Sequence, residues 1–160
     1  MKIAVGADHK GFAFKETIKS YLKMTGHVVN DFGTYSEESA DFSDFAIKTA
    51  DEVAGKRADR GILVCWTGNG MAIAANKVHG IRAGLALNTE MAELTRSHND
   101  ANVLVLSGKF TPQDQLMNIV DVFLETRFEG GRHKRRIDKI RKYEAKSNVR
   151  GTKKKRSRNS

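Results

Sequence analysis

Cys65 is the only cysteine of the chain, and it closes the apolar run GILVC immediately before Trp66-Thr67-Gly68-Asn69-Gly70. A thiol at a strand end, just ahead of a helix start, lies in the positive end of the helix dipole, which favours thiolate. A thiolate serves as a nucleophile or as a base that takes a proton. A small buried apolar residue at the end of a core strand leaves the same signature. Gly68 and Gly70 permit positive φ and close backbone approach. Successive N–H groups there, with the helix start, suit an oxyanion or a phosphate; a tight strand-to-helix turn uses the same residues. The third glycine position of a dinucleotide fingerprint is occupied by Ile73, and no Gly-Lys-Ser/Thr follows, so this is neither of those nucleotide loops.

Other polar pairs sit where chemistry is possible. Asp8-His9 follows the first apolar run, as a phosphate contact or proton shuttle, or as a capping Asp beside a surface His. His98-Asn99 ends a helical segment, where a protonated histidine is favoured. Arg132 and Arg136 are four apart after the Gly130-Gly131 hinge and so share one helix face. Two guanidinium forks on one face suit a phosphate, and a solvated basic helix has the same pattern. A Cys65–His98 pair would resemble a thiol protease, but so compact a chain shows no peptide cleft. No His, Cys and carboxylate set has metal-ligand spacing, so neither metal nor cofactor is expected.

Alternating elements must position these residues. Strands are read at 2–7, 27–33, 60–65, 81–88 and 102–108. Helices are read at 11–26, 46–56, 70–78, 89–99 (capped by Thr89), 111–125 (capped by Thr111, with Pro112 in its first turn) and 132–146. The third strand is apolar throughout, as both-face burial requires. The fold expected is an α/β, Rossmann-like three-layer sandwich: a five-stranded parallel sheet, helices on both faces and an extra C-terminal helix. Asp8-His9, Cys65 to Gly70 and Asn88 fall at strand ends, the edge where open α/β sheets bind ligands.

At 160 residues the chain is read as one domain over 1–146 followed by a basic tail at 147–160. The tail holds Arg150, Lys153, Lys154, Lys155, Arg156 and Arg158 and no acid, so much of the net charge of +9 belongs to it. It has no periodicity and is expected to be disordered. With no aromatic residue interleaved to stack on bases, nucleic acid is not an expected partner. No apolar run approaches the length of a membrane helix, the start does not read as a signal peptide, and a lone cysteine makes no internal disulfide. A cytoplasmic protein with no membrane contact is the expectation.

Together, KIAVGADH (2–9), DFGTYS (31–36), GILVC-x-TG-x-GM (61–71), AANK (74–77), GIRA (80–83), SHN-x-ANVLVL (97–106) and GGRH-x-RRI (130–137) resemble ribose-5-phosphate isomerase B and the related galactose-6-phosphate isomerase subunits. The resemblance covers about residues 1–144. It implies a homodimer or homotetramer with active sites shared between subunits, acting on a sugar phosphate without a metal. By that resemblance Cys65 would move a proton between C1 and C2, and Thr67 and His98 would help open the furanose ring. The main chain from Trp66 through Gly68, Asn69 and Gly70 would hold the enediolate oxygen. Asp8 and Asn99 would bind sugar hydroxyls, and His9, Arg132 and Arg136 the phosphate. Ribose 5-phosphate is the expected substrate. A hexose 6-phosphate isomerase, or a sugar-phosphate binder whose catalysis Trp66 impairs, is the alternative. The chain departs from the family at Trp66, where glycine is usual, at Asn69, usually aliphatic, and at Ala72, often serine.

Overall fold

The computed structural model describes residues 1–156, with side chains through Lys146. The chain divides into two compact units, Met1–Phe128 and the segment from Glu129 onward.

The first unit contains β1 (Lys2–Ala7), α1 (Phe12–Met24), β2 (Val28–Asp31), α2 (Phe42–Ala54), β3 (Arg60–Cys65), α3 (Asn69–Ala75), β4 (Ala83–Leu85), α4 (Thr89–Ser97), β5 (Val103–Ser107) and α5 (Leu116–Glu125). The strands form one parallel sheet in the order β2-β1-β3-β5-β4. Two apolar clusters cover it. Ile18 and Leu22 of α1, Ala92 of α4 and Leu116, Ile119 and Phe123 of α5 pack with Ile62 and Val64 on one face. Ala46, Ala50 and Val53 of α2 and Met71 and Ala75 of α3 pack with Leu63 and Cys65 on the other. This is the expected three-layer α/β sandwich, and the pleat of β3 divides its side chains between the two faces.

The order of strands places a switch point between β1 and β3. The chain leaves β1 toward α1 on one face and leaves β3 toward α3 on the opposite face. A crevice opens where such connections diverge.

Several boundaries differ from those read in the sequence. Helix α2 begins at Phe42, and β4 is only Ala83–Leu85. Asn88, not Thr89, caps α4, its side chain accepting from the Met91 amide at 2.8 Å. Pro112 precedes a short 3₁₀ turn at Gln113–Gln115, and Thr111 accepts from the Ser107 amide at 3.2 Å instead of capping a helix. At Asn88 and Thr111 a local hydrogen bond from a main-chain amide to the side chain accompanies the boundary, which periodicity does not register.

The second unit is the helix α6 (Gly131–Arg156). The backbone is described as helix to Arg156; side chains from 147 onward and residues 157–160, within the segment read as a tail, lie outside the described residues.

Candidate active site

Two turns flank the switch point between β1 and β3. After β1, buried Asp8 accepts through Oδ1 from the amides of Lys10 at 2.9 Å and Gly11 at 3.0 Å. The Asp8 amide in turn donates to the Val64 carbonyl at 3.2 Å. This ties the turn to β3 so closely that a Cβ at Gly11 would run into that carbonyl. His9 follows, its Nδ1 accepting from the Ala40 amide at 3.2 Å. The segment that carries Ala40 is itself anchored: Ala7 donates to Gly33 O at 2.6 Å and Thr34 donates to Ala7 O at 2.7 Å.

After β3, Cys65 is 4% exposed, and its sulfur accepts from the Gly68 amide at 3.2 Å. Gly68 has φ +84, the left-handed conformation that favours glycine. This turn brings the main chain back over the sulfur and starts α3. Thr67 is half-buried in it, Asn69 is exposed, and Gly70 packs under the Phe42 ring. The carbonyls of the turn are held from β5: Ser107 Oγ donates to Trp66 O at 2.7 Å, the Lys109 amide to the same oxygen at 3.1 Å, and the Gly108 amide to Cys65 O at 2.8 Å.

Trp66 adopts no left-handed φ; among the described residues only Lys56 and Asp100 do so without being glycine. The family's glycine at this position is therefore not demanded by the backbone here. The indole is 46% exposed, with Lys10 Nζ at 5.8 Å and Lys109 Nζ at 5.6 Å from the ring centroid. Trp66 is the first residue beyond the end of β3.

His98 and Asn99 are not brought to Cys65. His98 is the C-cap of α4, and its amide donates to Leu94 O at 2.9 Å. Asn99 follows it, and its carbonyl accepts from Arg82 Nε at 3.2 Å, one residue before β4 begins. Cys65, by contrast, pairs with Ser107 on the last rung of β5. The length of β5 separates the two positions, roughly 13 Å at ~3.3 Å per residue. That is far outside a hydrogen-bond reach of ~3 Å. Within one chain, Cys65 with Asp8-His9 and His98 with Asn99 occupy opposite edges of the sheet.

Arg132 and Arg136 belong to the second unit. Both are exposed, one turn apart on α6. Arg132 Nε lies 3.3 Å from His133 Nε2, and Lys134 and Arg141 flank Asp138 at 2.7 and 3.4 Å.

Sequence reasoning missed several supports: Ser107, the Ala40 amide and Asp31. The Asp31 carboxylate, at the end of β2, takes Lys15 Nζ at 2.7 Å and Lys19 Nζ at 2.8 Å and accepts from the Gly33 amide at 3.0 Å. Burial alone would raise its pKa, but these donors outweigh it and hold the carboxyl below its usual range. Only Ser107 carried a signal in the sequence, as a hydroxyl at the end of an apolar strand.

A parallel sheet with a single thiol beside a glycine turn at its switch point defines a Rossmann-like α/β protein. The profile of the ribose/galactose isomerase family matches residues 3–140. Ribose-5-phosphate isomerase B of Escherichia coli strain K12 is 43% identical over 147 residues, covering 92% of this chain and 99% of that protein. The structure of ribose-5-phosphate isomerase B from Clostridium thermocellum superposes with a TM-score of 0.90 at 47% identity, over 92% of this chain and 99% of that one. That of Mycoplasma genitalium, with bound ribulose-5-phosphate, superposes at 0.86 with 44% identity, over 90% and 96%. The chain belongs to the ribose/galactose isomerase family, and it is an isomerase of the aldose–ketose type. No helix among the described residues is long and apolar enough to cross a membrane.

Proposed function

We propose that the protein interconverts ribose 5-phosphate and ribulose 5-phosphate without a metal ion, through an enediolate, with Cys65 as the base. The observation that carries this is the place of Cys65 at the β1/β3 switch point, its sulfur fixed by the Gly68 amide at 3.2 Å. After the ring opens, the sulfur takes the proton from C2 of the aldose. The C–H electron pair forms the C1–C2 double bond, and the carbonyl oxygen on C1 becomes the oxyanion. Return of the proton to C1, with transfer of the hydroxyl proton from O2 to O1, gives the ketose. A base held in place and an oxyanion facing fixed main-chain dipoles are what this reaction needs. The main chain of residues 66–70 is suited to that second role.

Thr67 and His98 assist ring opening, Asp8 and Asn99 hold sugar hydroxyls, and His9, Arg132 and Arg136 hold the phosphate. Since His98 and Asn99 lie at the sheet edge away from Cys65, a second copy of the chain supplies them. The working unit is thus at least a dimer with composite sites.

The experiment is turnover of ribose 5-phosphate, with allose 6-phosphate and galactose 6-phosphate as competing substrates. The Cys65→Ala variant should fold normally and lose turnover; wild-type rates in it would remove Cys65 as the base. Faster turnover of a hexose phosphate would replace the pentose assignment. Cys65→Ala and His98→Ala subunits, each inactive alone, should regain activity in mixed assemblies. Only there does an intact Cys65 meet an intact His98 from another chain.

A further inference from the structure

We infer that Asp100, gripped by Arg82 and Arg96, is a positioning residue that sets the direction in which His98 and Asn99 are presented to the catalytic thiol of another subunit. The inference rests on the composite-site reading above. Asp100 has φ +47, a left-handed conformation uncommon outside glycine and best tolerated by Asn and Asp. Two guanidinium groups hold its carboxylate there. Arg82 Nη2 contacts Asp100 Oδ2 at 2.7 Å, and Arg96 Nη1 contacts Oδ1 at 3.0 Å. The same arginines also hold the main chain of the turn. Arg82 Nε donates to Asn99 O at 3.2 Å and to Asp100 O at 2.8 Å, and Arg96 Nη1 donates to Ala101 O at 2.7 Å.

Both arms are themselves fixed. Arg96 is 4% exposed, with its guanidinium 5.9 Å from the ring centroid of Phe123 in the core. Arg82 is held through its amide, which donates to Asn102 Oδ1 at 2.8 Å, and Asn102 Nδ2 donates to Gly80 O at 2.9 Å. The carbonyls of residues 99, 100 and 101 are therefore each bound to a buried or half-buried cation. A left-handed turn needs only a glycine; this one uses a carboxylate and two arginines, which fix the orientation of the peptide planes as well as their φ. Asn99 and His98 stand directly on those planes. Planar guanidinium forks give that directional hold, whereas a lysine would supply only a point charge.

The test uses Asp100→Asn, which keeps a left-handed-tolerant residue without the charge, and Asp100→Gly, which keeps the turn without the carboxylate. Each should fold, keep its assembly state and lose about tenfold or more in kcat/KM, because a small misplacement of a reacting group is costly. The defect should also be located in trans. Co-expressed with Cys65→Ala subunits under separate tags, Asp100→Gly subunits should regain activity in purified mixed assemblies. There the intact turn of the Cys65→Ala chain faces the intact Cys65 of the Asp100→Gly chain. Mixed with His98→Ala subunits, they should not regain it. Wild-type kcat/KM in both Asp100 variants, rescue by His98→Ala subunits, or no rescue by Cys65→Ala subunits would each overturn the inference. The Cys65→Ala with His98→Ala mixture serves as control: its failure would overturn the composite site itself and the inference with it. Its success beside a failed Asp100 rescue would overturn the inference alone.

Discussion

The hydroxyl of Ser107 donates to the carbonyl of Trp66 at 2.7 Å, which fastens the thiol-bearing turn to the end of β5. Ser107 is fully buried, and its oxygen also accepts from the amides of Lys109 at 3.2 Å and Phe110 at 2.9 Å. One hydroxyl thus sets the spacing between the turn after β3 and the turn after β5.

Replacing it in Ser107→Ala removes the Phe110 amide's bond at 2.9 Å and leaves the Trp66 carbonyl and the Lys109 amide with only each other, at 3.1 Å. A loss of roughly 1–3 kcal/mol in stability is expected. The catalytic effect should fall on kcat more than on KM, because the turn holds the base and not the phosphate contacts. Steady-state kinetics beside thermal denaturation checks this. A fall in the melting temperature with unchanged kcat would mean that Ser107 supports the fold without tuning the site.

The indole of Trp66 lies beside Lys10 and Lys109, and its backbone has no left-handed φ. On that geometry the backbone does not demand glycine at this position. Trp66→Gly should keep turnover within a few-fold of the parent and cost about 0.5–1 kcal/mol through added backbone freedom. A large gain in kcat/KM would instead make the indole an obstruction and revive the reading of a binder with impaired catalysis.

Gly11 allows the turn after β1 to touch β3. A methyl group there collides with the Val64 carbonyl, so Gly11→Ala must push the Asp8-His9 turn away from the strand that carries Cys65. A destabilisation of about 1–3 kcal/mol is expected for such overpacking, together with a loss of kcat/KM. Denaturant unfolding with a parallel activity assay would detect it. An alanine variant as stable and active as the parent would show that the two turns need not touch.

The sheet was legible because its strands are apolar runs separated by amphipathic helices. Cys65, Asp8 and His9 were legible as candidate site residues because each falls at a strand end of the same edge. The separation of His98 from Cys65 was not read from the order of elements, although α4 must return the chain to the opposite edge before β5 begins. The support of the site was hidden for a different reason. Ser107, the Ala40 amide and the Arg82–Asp100–Arg96 grip act across contacts between residues distant in sequence or through main-chain groups, and neither leaves a periodic trace.

Acid should unfasten the β2 end of the molecule first. Asp31 lies between Lys15, which is 1% exposed, and Lys19, and Glu16 lies 2.9 Å from Lys15 and 2.6 Å from Lys19. In both carboxyls burial pushes the pKa upward, but the lysine partners outweigh it and the net direction is down. A carboxyl whose pKa is depressed on folding contributes stability above its unfolded value and loses it as the pH falls through the folded one. The loss should therefore fall below about pH 4, the ordinary carboxylate range. Lys19 is shifted the other way: burial lowers its pKa, the hydrogen bonds it donates to Asp31 and Glu16 outweigh this, and the net is upward. Its contribution persists through neutral pH and is lost only well into the alkaline range. Melting temperature followed from pH 7 downward should fall steeply in the parent. Asp31→Asn should start lower at neutral pH, since it leaves the buried Lys15 ammonium short of its main partner, and then fall less steeply in acid. Parallel curves for the two proteins would show that the Asp31 pair does not govern acid stability.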